Sequence, residues 1–138
     1  MSHLLDTCVL SEFRKIKPDQ KVINWLERQI EESLFLSVLV IGEIQKGISL
    51  LPPSKKQREL DEWLNDLIFR YDNRILPLSL GVMRRWGQLT GSLEKQGRVL
   101  PFLDSLIAAT ALTYDFVLVT RNENDFAGTK VTVLNIWK

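Results

Sequence analysis

HLLDTCVLSE, residues 3–12, decides the fold. Only a short strand fits His3 to Leu5, since the sequence begins two residues earlier and turns polar at Asp6. A short helix or turn over Thr7 to Arg14 follows, then a basic loop around Lys15, Lys17 and Pro18. Working outward, Val22, Trp25, Leu26 and Ile30 recur at helical spacing, so Gln20 to Glu32 reads as an amphipathic helix. Leu34 to Ser37 reads as a buried strand and Val40 to Leu50 as a helix with Ile41, Ile44 and Ile48 on one stripe. Pro52 and Pro53 stop that helix. Ser54 and Gln57 fit a capping box that starts the next one, with apolar face Leu60, Leu64, Leu67 and Ile68. Arg74 to Leu78 is a short strand or extended link, and Val82, Trp86, Leu89 and Leu93 mark a helix ended near Gly97. Asp104 opens an alanine-rich helix to about Thr113, and Phe116 to Thr120 and Lys130 to Leu134 are the last strands. Strands alternating with helices predict an α/β fold: a mostly parallel central sheet of four to five short strands, covered on both faces, in a single domain over residues 1–138.

The same pass isolates four acids. Asp6 closes the first strand, Glu43 sits inside LSVLVIGEIQKG, Asp104 interrupts LPFLDSLIAATAL, and Asp125 follows FVLVTRNEND. A carboxylate in apolar sequence is costly unless its charge is compensated. Four of them, spread along the chain, suggest a metal site assembled by folding, at the carboxyl ends of the strands where such folds place their sites.

Composition narrows the chemistry. With 45% hydrophobic and 25% charged residues, a globular protein is expected rather than a disordered one. The formal charge of +1 excludes no partner, because catalytic acids can offset a local basic surface. The single Cys8 excludes an intramolecular disulfide and a Cys-rich zinc site. His3, the sole histidine, excludes a HExxH metalloprotease and a Ser-His-Asp triad. The longest uncharged stretch, Ser105 to Tyr114, is about half a membrane span. No basic leader precedes Asp6, so a cytoplasmic protein without membrane association is expected.

Four segments in order carry a family resemblance: LLDTCVLSE, SVLVIGEIQKGI, RVLPFLDSLIAATAL and VTRNENDF. Over essentially its whole length the chain resembles PIN-domain proteins of the VapC type, the toxins of bacterial and archaeal toxin–antitoxin pairs, close to the FitB-like branch. The resemblance implies a PIN-like three-layer α/β/α fold and a metal-dependent endoribonuclease. It also implies a homodimer, a small cognate antitoxin that inserts a basic residue near the acids, and RNA as substrate. Asp6, Glu43, Asp104 and Asp125 would be the site acids, with Thr120 and Asn122 in support. Two departures stand out: Cys8 where asparagine often follows Asp-Thr, and Asn122 where many relatives carry a fifth acid.

Carboxylate oxygens are hard ligands suited to Mg²⁺ or Mn²⁺, and a cation would offset their mutual repulsion. Asp6, Asp104 and Asp125 are assigned to the metal, Glu43 to it through water or to the nucleophile. Thr120 would bond Asp6 or a coordinated water, and Asn122 would position Asp125. Arg14, Lys15, Lys46, Arg84, Arg85, Arg98 and Arg121 are RNA-contact candidates, with Lys17 beside them. Trp25, Trp63, Leu64 and Leu67 fit either a protein interface or the core.

Blander readings stand beside these. Asp6 and Asp104 could cap helices, Glu43 could pair with Lys46, and Asp125 could end a loop. TRNE also fits a helix-start box, which would leave Thr120 and Asn122 bonding backbone. Cys8 reads as a small buried residue, and its presence two residues after Asp6 argues against a haloacid-dehalogenase-like phosphatase, which needs an aspartate there. A PIN-like fold kept only for RNA or protein binding is the alternative function.

Overall fold

Strand and helix alternate through residues 1–138, all of which the computed structural model describes. β1 (His3–Leu5), β2 (Leu34–Ser37), β3 (Ile75–Leu76), β4 (Val117–Val119) and β5 (Val133–Leu134) form one sheet in the order β3-β2-β1-β4-β5. Every pairing is parallel, with Leu4 opposite Phe35 on one side and Leu118 on the other. Parallel strands need crossovers, and helices supply them: α1 (Thr7–Glu12), α2 (Gln20–Glu27), α3 (Val38–Ser49), α4 (Lys55–Arg70), α5 (Leu80–Lys95) and α6 (Phe102–Tyr114). The result is the expected three-layer α/β/α fold with helices flanking a five-stranded sheet. No helix is long and apolar enough to cross a membrane.

The core explains which helices sit deepest. Leu4, Leu5, Val9, Leu36, Val40, Ile107 and Leu118 are sealed from solvent, each fully buried leucine or isoleucine contributing about 1.5–3 kcal/mol. α6 is apolar all round, and every residue from Ser105 to Ala111 is buried. Its two buried hydroxyls are satisfied within the helix, Ser105 donating to the Phe102 carbonyl at 2.6 Å and Thr110 to the Leu106 carbonyl at 2.8 Å. Leu64 and Leu67 lie in the core, while Trp25 and Trp63 pack against it partly exposed. The interface reading therefore fails for the two leucines.

Several element boundaries differ from the sequence expectation, each for a local reason. The helix expected to reach Glu32 stops at Glu27; Ile30 is extended, and a 3₁₀ turn at Glu31–Ser33 leads into β2. Arg74 holds that turn, donating to the carbonyls of Glu31 at 2.7 Å and Leu34 at 2.6 Å. α3 starts two residues early because the buried Ser37 hydroxyl accepts the Leu39 N–H at 3.1 Å, and Val40 rather than Ile41 joins Ile44 and Ile48 in the core. Ser54 caps α4 through the Gln57 N–H, but the Gln57 amide donates to the Ile48 and Leu51 carbonyls instead of closing the box. It thereby satisfies the open end of α3. β5 is trimmed to two residues because Lys130 takes a left-handed φ of 67°. α6 begins at Phe102, so Asp104 falls inside its first turn without capping it.

Candidate active site

The carboxyl end of β1 delivers Asp6, whose N–H donates to the Val119 carbonyl of β4 at 3.0 Å. Its carboxylate is fixed from both sides. Oδ1 accepts the Thr7 N–H at 2.8 Å, and Oδ2 accepts the Thr120 hydroxyl at 2.8 Å. Thr120 follows β4 and is completely buried; its Oγ1 also accepts the Asn122 N–H at 3.1 Å and lies 3.7 Å from Cys8 Sγ. On the other flank, the Thr7 hydroxyl donates to Glu43 Oε1 at 2.9 Å. A continuous chain of hydrogen bonds thus joins Glu43, Thr7, Asp6, Thr120 and Asn122. Asp6 caps α1 as well as facing the cleft, so the cap does not exclude a role in the site.

Asp6, Glu43, Asp104 and Asn122 line a cleft of about 410 Å³ together with Thr7, Cys8, Ser11, Lys15 and Arg121. Asp125 lies on the adjoining hollow with Asn122, Asn124 and Lys138. Half-buried Asp104 has its carboxyl raised above the ordinary aspartate range, first by burial and then by the charges of Asp125, Asp6 and Glu43. Asp104 therefore feels the charge of the other three acids. None of them takes part in the chain's ion pairs, so the expected alternative of a Glu43–Lys46 pair is absent. No three His, Cys, Asp or Glu side chains converge closely enough to hold a metal ion unaided.

The basic candidates divide. Lys15 and Arg121 line the acidic cleft. Arg14 stacks over the Trp63 ring at 5.6 Å, and Arg98 donates to the carbonyls of Ala127 and Asp125, bracing the loop that carries Asp125. Arg85 lines a separate hollow beside Leu89 and Lys130. Lys46, Arg84 and Lys17 are exposed and none of them lines the cleft.

Three residues were missed or misjudged from sequence. Thr7 reads as an ordinary helix residue, yet it ties Glu43 to the Asp6 motif; the Asp-Thr pairing was the available signal. Cys8, expected in the core, is half-buried at the cleft wall, and burial pushes its thiol pKa up. Glu12, on α1, is a buried carboxylate that no pattern singled out.

An acid at the carboxyl end of the central strand of a parallel sheet, joined at one cleft by acids from two flanking helices, describes the class of protein here, and residues 3–131 match the PIN domain family. The chain belongs to that family, in its VapC/FitB-like toxin–antitoxin branch. It is 33% identical over 135 residues to Toxin FitB of Neisseria gonorrhoeae, covering 97% of both chains. It is 30% identical over 136 residues to VapC ribonuclease Y4jK of Sinorhizobium fredii, covering 98% of this chain and 97% of that one. The crystal structure of FitAcB from Neisseria gonorrhoeae superposes with a TM-score of 0.92 at 32% identity over 98% of each chain. The structure of FitAB bound to an IR36 DNA fragment gives 0.91 at 32% identity, covering 99% of this chain and 96% of that one.

Proposed function

We propose that the protein is a metal-dependent endoribonuclease, the toxin of a type II toxin–antitoxin pair. The observation that carries this is the set of carboxylates without ion-pair partners at one cleft and its adjoining hollow, with Asp104 raised by burial and then by the charges of Asp125, Asp6 and Glu43. Kinship with proteins named as a VapC ribonuclease and Toxin FitB supports it. The donor set fits Mg²⁺ or Mn²⁺: it is all hard oxygen, carries unrelieved repulsion, and Mg²⁺ commonly takes one or two carboxylates while keeping water. The lack of a three-ligand cage is therefore compatible with that ion.

Asp6 and Asp104 would hold the cation, with Asp125 completing that side. Such an ion, when bound, neutralises charge on a phosphodiester and lowers the pKa of water. Glu43, aimed by the Thr7 hydroxyl, orients the attacking water and takes its proton. Thr120 fixes the Asp6 rotamer, and the Thr120–Asn122 bond sets the loop that leads to Asp125. Lys15 and Arg121 contact phosphate. Residues 1–138 act as one PIN domain in a cytoplasmic homodimer. A cognate antitoxin silences it by placing a basic residue among the acids, in line with neighbours whose complexes are named FitAB and VapBC.

A non-catalytic RNA- or protein-binding role is the second reading, favoured by the absence of a closed metal cage. Purified, antitoxin-free protein incubated with structured RNAs and Mg²⁺ or Mn²⁺, against EDTA and against Asp6→Asn and Asp104→Asn, separates the two. Metal-dependent cleavage lost in both variants is expected. Cleavage unchanged in both would sink the mechanism, and tight metal-independent binding without cleavage would establish the second reading.

A further inference from the structure

Glu12 is the most deeply buried charge in the molecule, only 1% exposed. A carboxylate in that position persists only with several donors around it. It has them, drawn from four places in the chain. Its Oε1 accepts the Lys15 ammonium at 3.4 Å, the Asp19 N–H at 3.3 Å and the Trp137 indole N–H at 3.2 Å, and lies 3.6 Å from the Arg121 guanidinium. Its Oε2, sealed from solvent and without a hydrogen bond, faces the Lys15 ammonium at 2.8 Å. Burial alone would push the Glu12 carboxyl up, yet the bonds from Lys15, Trp137 and Asp19 outweigh it and hold the group below the usual glutamate range. It is charged in the folded protein.

The two cations it holds are the two that line the acidic cleft. Both side chains stay about half exposed, at 48% for Lys15 and 47% for Arg121, while the Glu12 side chain beneath them is 2% exposed. Arg121 is held a second time by stacking 4.6 Å over the Trp137 ring. Asn135 fastens the same segment, donating to the Arg121 carbonyl at 3.3 Å while its Oδ1 accepts the Trp137 N–H at 3.0 Å. A lysine and an arginine that line the cleft are thus tied by their charged ends to one buried anchor, each side chain still about half open to solvent. Long cationic side chains lose little further freedom on binding when already held in place.

We propose that Glu12 is a positioning residue that, with Trp137, sets Lys15 and Arg121 as a two-pronged clamp for the phosphates flanking the scissile bond. This rests on the ribonuclease reading, and the sign of one measurement distinguishes it from a plain electrostatic or structural role. Glu12→Gln removes a negative charge beside the cleft, so on electrostatics alone RNA binding would tighten. Loss of the anchor instead weakens it. A fluorescein-labelled single-stranded RNA titrated in EDTA and followed by anisotropy reads this without requiring turnover. Binding is expected to weaken about fivefold to tenfold in Glu12→Gln, with the salt slope shallower by about one to two phosphate contacts. In a Lys15→Ala/Arg121→Ala background the same change is expected to do nothing further, since coupled residues are not additive. With Mg²⁺ present, the loss should appear in KM with kcat within about twofold.

Trp137→Phe, which removes the indole donor and keeps a ring under Arg121, tests the clamp again should Glu12→Gln fail to fold; about threefold weakening is expected, absent in the double-alanine background. Unchanged or tighter binding in the folded variants, or further weakening in the double-alanine background, overturns the proposal. Wild-type protein that neither binds nor cuts RNA sinks the ribonuclease reading itself, whereas an active wild type with unaffected variants sinks only the clamp.

Discussion

Thr120→Val tests whether the fully buried hydroxyl behind Asp6 serves the site or only the core. Valine keeps the volume and removes one donor and one acceptor. The donor bond, 2.8 Å to Asp6 Oδ2, is charge-assisted and of a kind that contributes about 1.5–3 kcal/mol. The acceptor bond, from the Asn122 N–H at 3.1 Å, involves an exposed residue, so water can replace it at small cost. The added buried methyl returns about 0.8 kcal/mol. A net loss of about 1–2 kcal/mol follows, read by urea or thermal unfolding of metal-free protein. Function should suffer more than stability does. Asp6 keeps its bond from the Thr7 N–H at 2.8 Å but loses the partner that stops the second oxygen from turning. Removing a side chain that orients a ligating group costs about 10–100-fold in metal affinity or activity. The Mg²⁺ concentration giving half-maximal RNA cleavage should rise by that factor, and Thr120→Ser should restore it. Thr120→Val with wild-type metal dependence despite lowered stability would refute the argument, as would a serine variant no better than the valine one.

Other expectations follow from the same contacts. Asp104→Asn should abolish cleavage yet raise the stability of metal-free protein by about 1 kcal/mol near neutral pH, by removing a partly buried charge and its repulsion from Asp125, Asp6 and Glu43, both screened at a half-exposed site. The folded-state pKa of Asp104 lies above its unfolded value, so its contribution to stability is present below the unfolded pKa and lost as pH rises through the folded one. The melting-temperature gap between variant and wild type should therefore close on acidification; a gap independent of pH would contradict this. Arg74→Ala removes donors to the carbonyls of Glu31, Leu34 and Arg70 and the guanidinium stacked 4.5 Å over the Tyr71 ring. It should cost about 2–4 kcal/mol in chemical denaturation, and lysine should recover less than half because it cannot fork between carbonyls. A loss under about 0.5 kcal/mol would place this bracket among ordinary surface contacts.

The alternation of strands and helices was legible because it depends on local periodicity, and Asp6 and Asp104 were legible because each breaks an apolar run. Where elements end was less so. Nothing near Glu27 foretells that Arg74, far along the chain, seizes the turn after α2. Likewise Lys130 gives no sign in sequence of the left-handed backbone that shortens β5. The site shows the same division. Thr120 and Asn122 could be named from their neighbours, but Glu12 is defined by Trp137, 125 residues away, and by Arg121. Basic residues were the least legible. Lys46 and Arg84 look no different in sequence from Lys15, and only a buried acid beneath Lys15 sets it apart.

The order of the sheet has a consequence for synthesis. β1 is made first yet sits in the middle, and it acquires its second neighbour only when β4 is laid against it. Asp6 receives the Val119 contact and the Thr120 hydroxyl at that same step. A chain still being translated therefore holds its earliest acid by the Thr7 N–H alone until the last quarter of the sequence has emerged. Of the contacts that hold the cleft, those from β4 and Thr120 are thus the last to become available to a growing chain, after the Thr7 bonds to Asp6 and Glu43.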